Sequence, residues 1–163
     1  MKKLISLFLL LVLSGLILFG LYFLDKDYFL CPIEYRRDIV IRNDSRGDGF
    51  FAANRNGRRV HEGLDLFAEL GTPVLASRSG LVVAATQNNG MGKYVIIQHS
   101  NNTRTIYGHL SKINARRDQF IRQGQVIGYV GKTGNANNRD ILPHLHFEVK
   151  KDGVPQDPLG YLR

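Results

Sequence analysis

Cysteine occurs once, at Cys31, so no intrachain disulfide can form and a disulfide-stapled scaffold is excluded. Acidic residues are missing from the first 24 positions, and no charge of either sign interrupts Leu4 to Leu24. An uncharged apolar run so close to Met1 argues against an ordinary cytosolic protein. Sustained helical periodicity is absent beyond residue 30. Only Leu110 to Arg117 has a pattern that one or two helical turns would satisfy, so a helical domain is excluded as well.

What is present divides unevenly along the chain. The 163 residues carry 22 Lys+Arg and 14 Asp+Glu, a net charge of +8. Up to residue 35 three basic residues cancel three acidic ones, so the remaining 19 basic and 11 acidic residues place the whole +8 on residues 36–163. Leu4 to Leu24 is 21 residues long, about 31 Å as a helix and close to the hydrocarbon thickness of a bilayer. The run is longer than the apolar core of a cleavable signal, and it leaves through Leu21-Tyr-Phe-Leu24 with no small-x-small site. Lys2 and Lys3 before it, and Asp25, Lys26 and Asp27 after it, keep the N-terminus in the cytoplasm and send the domain outward. The expectation is a single-pass signal-anchor over 1–24, preferred to a cleaved signal or a buried core helix. Lipidation at Cys31 is rejected, because Tyr28, Phe29 and Leu30 before it are bulky. Residues 25–37 read as a stalk, and 38–163 as the exported domain on the outer face of the cytoplasmic membrane. Export removes nucleic acid as a partner for the basic charge.

In the domain the apolar stretches are short, β-branched or aromatic, and punctuated by turn signals such as Asn88-Asn-Gly90 and Ser100-Asn-Asn102. Strands are expected at 38–42, 73–76, 81–85, 94–98, 104–107, 125–130 and 145–149. The fold class is all-β, a compact antiparallel sheet or sandwich. A weak echo between Gly71-Thr-Pro-Val-Leu-Ala and Gly124-Gln-Val-Ile-Gly-Tyr hints at a duplicated motif.

Five histidines, His61, His99, His109, His144 and His146, carry the chemistry. His144-Leu-His146 is the most telling pair. On a strand both imidazoles face one side, about 6.5–7 Å apart, while Leu145 and Phe147 take the other. In His61-Glu-Gly-Leu-Asp65 an extended chain points positions 61, 63 and 65 one way, and Gly63 would leave room for an ion. Three imidazoles and a carboxylate suit zinc. Spacing leaves two arrangements open: four ligands closing a structural tetrahedron, or three ligands with an open position. His109 joins the set through Tyr107-Gly-His-Leu-Ser111, whereas His99 beside a turn reads as structural or exposed. Glu62 points away from His61 on a strand and is excluded as a general base. Arg55, Arg58 and Arg59 are either solvated surface or a contact for an acidic substrate.

The blocks His61-Glu-Gly-Leu-Asp65, Tyr107-Gly-His-Leu-Ser111 and Pro143-His-Leu-His-Phe-Glu148 resemble the signatures of the lysostaphin/LytM-type zinc metallopeptidases. Gly71-Thr-Pro-Val74, Gly124-Gln-Val-Ile-Gly128, Gly131-Lys-Thr-Gly134, Arg42-Asn-Asp-Ser-Arg-Gly-Asp-Gly-Phe-Phe51 and the terminal Asp157-Pro-Leu159 and Tyr161-Leu162 are similar to family members too. The resemblance implies one zinc ion held by His61, Asp65 and His146, with His109 and His144 as active-site histidines beside the open position. It implies a LytM-like β fold with a groove over the metal, and cleavage of peptide bonds in peptidoglycan stems or cross-bridges. Residues 135–143 form a longer loop than the common family pattern and are expected to rim the groove, with Pro143 favouring extended geometry at Leu142. Two other functions compete. One is a catalytically silent LytM-type module that binds peptidoglycan or activates a cell-wall hydrolase, with envelope proteins as further partners. The other is a lipoyl-like carrier, which Lys93 lacks the flanking residues to serve.

Overall fold

The computed structural model describes residues 2–22, 25, 28–55, 57 and 59–163. Helix α1 (Lys2–Tyr22) opens the chain. Among the described residues no helix is long and apolar enough to cross a membrane.

The rest is β structure: β1 (Asn43–Asp44), β2 (Gly47–Asp48), β3 (Asn54–Arg55), β4 (Arg59–Val60), β5 (Leu64–Phe67), β6 (Pro73–Leu75), β7 (Gly80–Asn88), β8 (Gly92–Gln98), β9 (Thr103–Leu110), β10 (Lys112–Ile113), β11 (Phe120–Ile121), β12 (Val126–Tyr129), β13 (His144–Lys151) and β14 (Val154–Gln156). The main sheet runs β11-β7-β8-β9-β13-β14, with β5 also pairing β13, and every pair is antiparallel. A smaller sheet, β10-β12-β6, joins the two echoed glycine-hydrophobic segments, since Leu75 and Val74 lie opposite Val126 and Gly128. The Ser100–Asn102 signal does form the β8–β9 turn, with Asn101 and Asn102 at φ +54° and +55°, the conformation of a tight type I′ hairpin.

Strand β13 is the axis of the domain. Its inward residues Leu145, Phe147 and Val149 are fully buried and pack with Leu64, Leu66, Tyr107, Val95 and Ile97 in one core. Its other face carries His144, His146 and Glu148, as strand alternation requires.

Three expectations are corrected. Residues 38–42 form no strand, only an Ile41–Leu66 bridge. Leu110 to Arg117 makes no helical turn; Leu110 ends β9 and Lys112–Ile113 is a strand, because both pair with β neighbours. The stalk is no free linker over its described part. Phe29 and Ile33 are buried in the domain core, Phe29 bridges to Leu162, and Leu30 N–H donates to Ser77 O at 2.9 Å. Asp25 accepts from Ser79 N at 2.8 Å. Burial of two large apolar side chains fixes this segment to the domain.

Candidate metal centre and active site

The register places the site. Across the β13–β5 pair His146 lies opposite Asp65, and across β13–β9 it lies opposite Gly108. His61 precedes β5 and is held from both backbone groups, by His61 N to Ala53 O and Ala52 N to His61 O, each at 2.9 Å. Gly63 does not leave room for an ion as expected. A Cβ there would come 2.6 Å from Phe147 O and 2.9 Å from both Glu148 Cγ and His146 Cε1, so the glycine admits β13 instead.

Three donor atoms converge. His61 Nε2 lies 3.0 Å from His146 Nδ1 and 3.1 Å from Asp65 Oδ1, and His146 Nδ1 lies 2.8 Å from Asp65 Oδ1. The remote atom of each group is already engaged. His61 Nδ1 is 2.8 Å from Phe50 O, and His146 Nε2 is 2.9 Å from Glu148 Oε1. Asp65 Oδ2 accepts from Arg42 Nη2 at 3.0 Å and from Arg55 Nη2 at 2.8 Å. The free face therefore consists of two imidazole nitrogens and one carboxylate oxygen. Tetrahedral zinc with bonds of about 2.0–2.1 Å sets its donors about 3.3 Å apart, so a small spreading of this set would accommodate the ion. The donor set fits zinc, and outer partners of this kind fix ligand orientation. His144 Nε2 comes 3.8 Å from Asp65 Oδ1 but stands outside the trio, whose donor atoms lie within 4.8 Å of one another. The four-ligand tetrahedron is not assembled here.

His144 and His109 flank the trio, with ring centroids 5.0 Å apart, and His109 lies 5.7 Å from the His146 ring. Each has Nδ1 tied to a carbonyl, Leu142 O at 2.7 Å and Thr133 O at 2.9 Å. Donation from Nδ1–H leaves Nε2 as the free, acceptor nitrogen of the neutral ring. His109 reaches the site by breaking the strand rule. Gly108 shares the face of His146, so parity would send His109 with Tyr107 into the core. A left-handed backbone at His109, φ +61°, turns the ring to the cleft instead.

Electrostatics follow from burial and partners. Burial would raise the Asp65 carboxyl, but hydrogen bonds from His146 and His61 hold it well below the usual range. Burial would lower the His146 imidazole, but Asp65 and Glu148 push it up to about 9 in the absence of metal. Burial first, then the charges of His144 and His146, bring His109 down to about 3. The cleft above these groups measures about 970 Å³, and Arg46, Val60, Met91 and Ile141 contribute to its walls.

His99 is buried and structural, bonded to Ser79 O and Thr105 Oγ1. Glu62 turns outward to Lys150 Nζ at 2.7 Å, away from the donor trio. Arg55 belongs to the site rather than to solvated surface, Arg59 lines the cleft, and Arg58 lies outside the described residues. The sequence reading missed Arg42, Asp44 and Glu148. Glu148 had a signal, standing two residues beyond His146 on the same strand face. Arg42 and Asp44 had none that spacing reveals.

An antiparallel β domain with a His/Asp/His donor trio and two further imidazoles at the floor of an open cleft has the make-up of a metallopeptidase. Residues 59–158 match the model of Peptidase family M23, and the chain belongs to that family. It is 40% identical over 102 residues to DD-carboxypeptidase/endopeptidase Mpg of Neisseria meningitidis serogroup B, covering 63% of this chain and 23% of that protein. Among solved structures, the catalytic domain of lysostaphin from Staphylococcus simulans superposes with a TM-score of 0.60 at 33% identity, over 72% of this chain and 91% of that one. A zinc-containing peptidase from Vibrio cholerae superposes with a TM-score of 0.64 at 32% identity, over 81% and 39%. The chain spans under a quarter of the length of the Neisseria relative.

Proposed function

We propose that this protein is a zinc-dependent endopeptidase that hydrolyses peptide bonds in peptidoglycan stem peptides or cross-bridges. The observation that carries the reading is the convergence of His61 Nε2, Asp65 Oδ1 and His146 Nδ1 at 2.8–3.1 Å, each with its remote atom engaged. These three residues would hold one zinc ion, which supplies a Lewis acid for the scissile carbonyl and lowers the pKa of an attacking water. The remaining chemistry falls to His109 and His144. With Nδ1–H committed to a carbonyl, each directs Nε2 into the cleft: one ring, neutral, takes the proton of the water and passes it to the leaving amine, and the other, protonated at Nε2, donates to the developing oxyanion. Names of relatives that specify endopeptidases support the substrate class.

The same reading places the domain on the outer side of the bacterial cytoplasmic membrane, tethered through residues 4–24. Its support is the charge-free length of that run and the lysines before it. Protease protection in spheroplasts, with the N-terminal sequence of the mature protein, tests the tether; a free N-terminus near residue 25 overturns it.

Incubation of the zinc-loaded full chain with purified sacculi tests the activity. New peptide termini in the released fragments support an endopeptidase. Binding to sacculi without release supports the silent module.

A further inference from the structure

We propose that Asp44 is a positioning residue that sets the ring of His144 against the metal-ligand carboxylate. The two are joined by a chain of hydrogen bonds. Arg42 donates from Nη2 to Asp65 Oδ2 at 3.0 Å and from Nη1 to Asp44 Oδ1 at 2.6 Å. The other oxygen, Asp44 Oδ2, accepts from Leu142 N–H at 2.9 Å. Leu142 O in turn accepts from His144 Nδ1–H at 2.7 Å, and His144 Nε2 stands 3.8 Å from Asp65 Oδ1. The chain begins on the carboxylate that the far side of the His144 ring faces.

Asp44 is suited to this by burial and by the weakness of every other restraint on Leu142. The side chains of Arg42 and Asp44 are only 4% and 7% exposed, so their bond is shielded from water. Leu142 lies at the end of the long 135–143 loop, and its side chain is 42% exposed, so packing does not anchor it. The next residue, Pro143, has no N–H to offer and holds Leu142 extended. Among the described contacts, Leu142 is held through its N–H on Asp44, and its carbonyl, in the adjoining peptide unit with Pro143, selects the His144 tautomer. Arg46 and Asp140 bridge the β1–β2 hairpin to the same loop at 2.9 Å, but both are largely exposed, and such pairs contribute little.

The inference rests on the hydrolase reading only for its effect on rate; two of its readouts do not require activity. In the zinc-loaded full chain, the Leu142 amide should be protected from hydrogen exchange despite its exposed loop. Nitrogen-15 spectra should show His144 as a single Nδ1–H tautomer. In Asp44→Ala and Asp44→Asn that protection should fall at least tenfold and the His144 tautomers should mix, while His109, held by Thr133, stays as it was. Zinc should remain near one per chain. Release of peptides from purified sacculi should slow about 10–100-fold, in the range of an outer-shell change, and Asp140→Asn should match the unmodified chain. An unprotected Leu142 amide in the unmodified protein, or an unchanged His144 tautomer in folded Asp44 variants, overturns the inference. Intact spectroscopic readouts without any cleavage of sacculi would instead overturn the endopeptidase reading and leave the positioning role standing.

Discussion

Arg42 grips the distal oxygen of Asp65 across 23 residues of sequence, with Nη2 at 3.0 Å and Nε at 3.3 Å from Oδ2. Arg55 Nη2 shares that oxygen at 2.8 Å. The clamp turns Oδ1 toward His61 and His146, so the carboxylate presents one defined donor rather than two.

Arg42→Lys keeps the charge and removes the planar fork. Zinc affinity, measured by chelator competition, should fall about 10–100-fold, as for loss of an outer-shell partner. Affinity within twofold of the unmodified chain would contradict the clamp.

The left-handed backbone at His109 makes an unusual stability order testable. Alanine normally exceeds glycine, but a residue with a Cβ at φ +61° is strained by about 1–2 kcal/mol. His109→Gly should therefore be more stable to urea than His109→Ala, by about 1 kcal/mol, with both variants lacking the imidazole. Alanine equal to or above glycine would show that the ring reaches the cleft without backbone strain.

Stability of the metal-free chain should peak near pH 6.5. His109 is held down to about 3 by burial, then by His144 and His146. Between that value and 6.5 the unfolded chain binds a proton that the folded one refuses, so stability is lost as pH falls. For His146, burial is outweighed by Asp65 and Glu148, and its pKa rises to about 9. The folded chain then keeps a proton that the unfolded chain releases above 6.5, and stability declines as pH climbs through 9. Zinc replaces that proton and should flatten the alkaline limb. Urea midpoints across this range decide it, and a metal-free midpoint rising steadily from 6.5 to 9 would contradict it.

Phe29 is 6% exposed and meets the rings of His99 and Tyr161 edge-on, at 5.7 and 5.4 Å. Phe29→Ala should cost about 3–5 kcal/mol in urea unfolding, the range for a buried aromatic. A cost below about 1 kcal/mol would restore the stalk reading of this segment.

Much of the site was legible because strand alternation is a local rule. His144-Leu-His146 declared its two faces in three residues, and the blocks around His61 and Asp65 showed that an extended chain brings both to one place. The rest depended on contacts distant in sequence or on backbone exceptions. Asp44 and Leu142 are 98 residues apart, and only the folded loop brings them together. Gly63 is small because β13 passes beside it, not to admit an ion. His109 belongs to the site against the parity of its own strand. Phe29 and Ile33 lie in the apolar run Tyr28-Phe-Leu-Cys-Pro-Ile33, flanked by charges on both sides, and packing makes that run a core edge.

The most direct measurement pairs zinc content with products released from purified sacculi, for the full chain and for His61→Ala, His146→Ala and His109→Ala. The expected result is one zinc per chain and peptides ending at a hydrolysed bond. Zinc and activity should disappear together in the His61 and His146 variants, and activity alone should be lost in His109→Ala. A zinc-loaded, folded protein that releases no peptide would contradict the endopeptidase reading, and a His109→Ala chain empty of zinc would contradict the assignment of ligands.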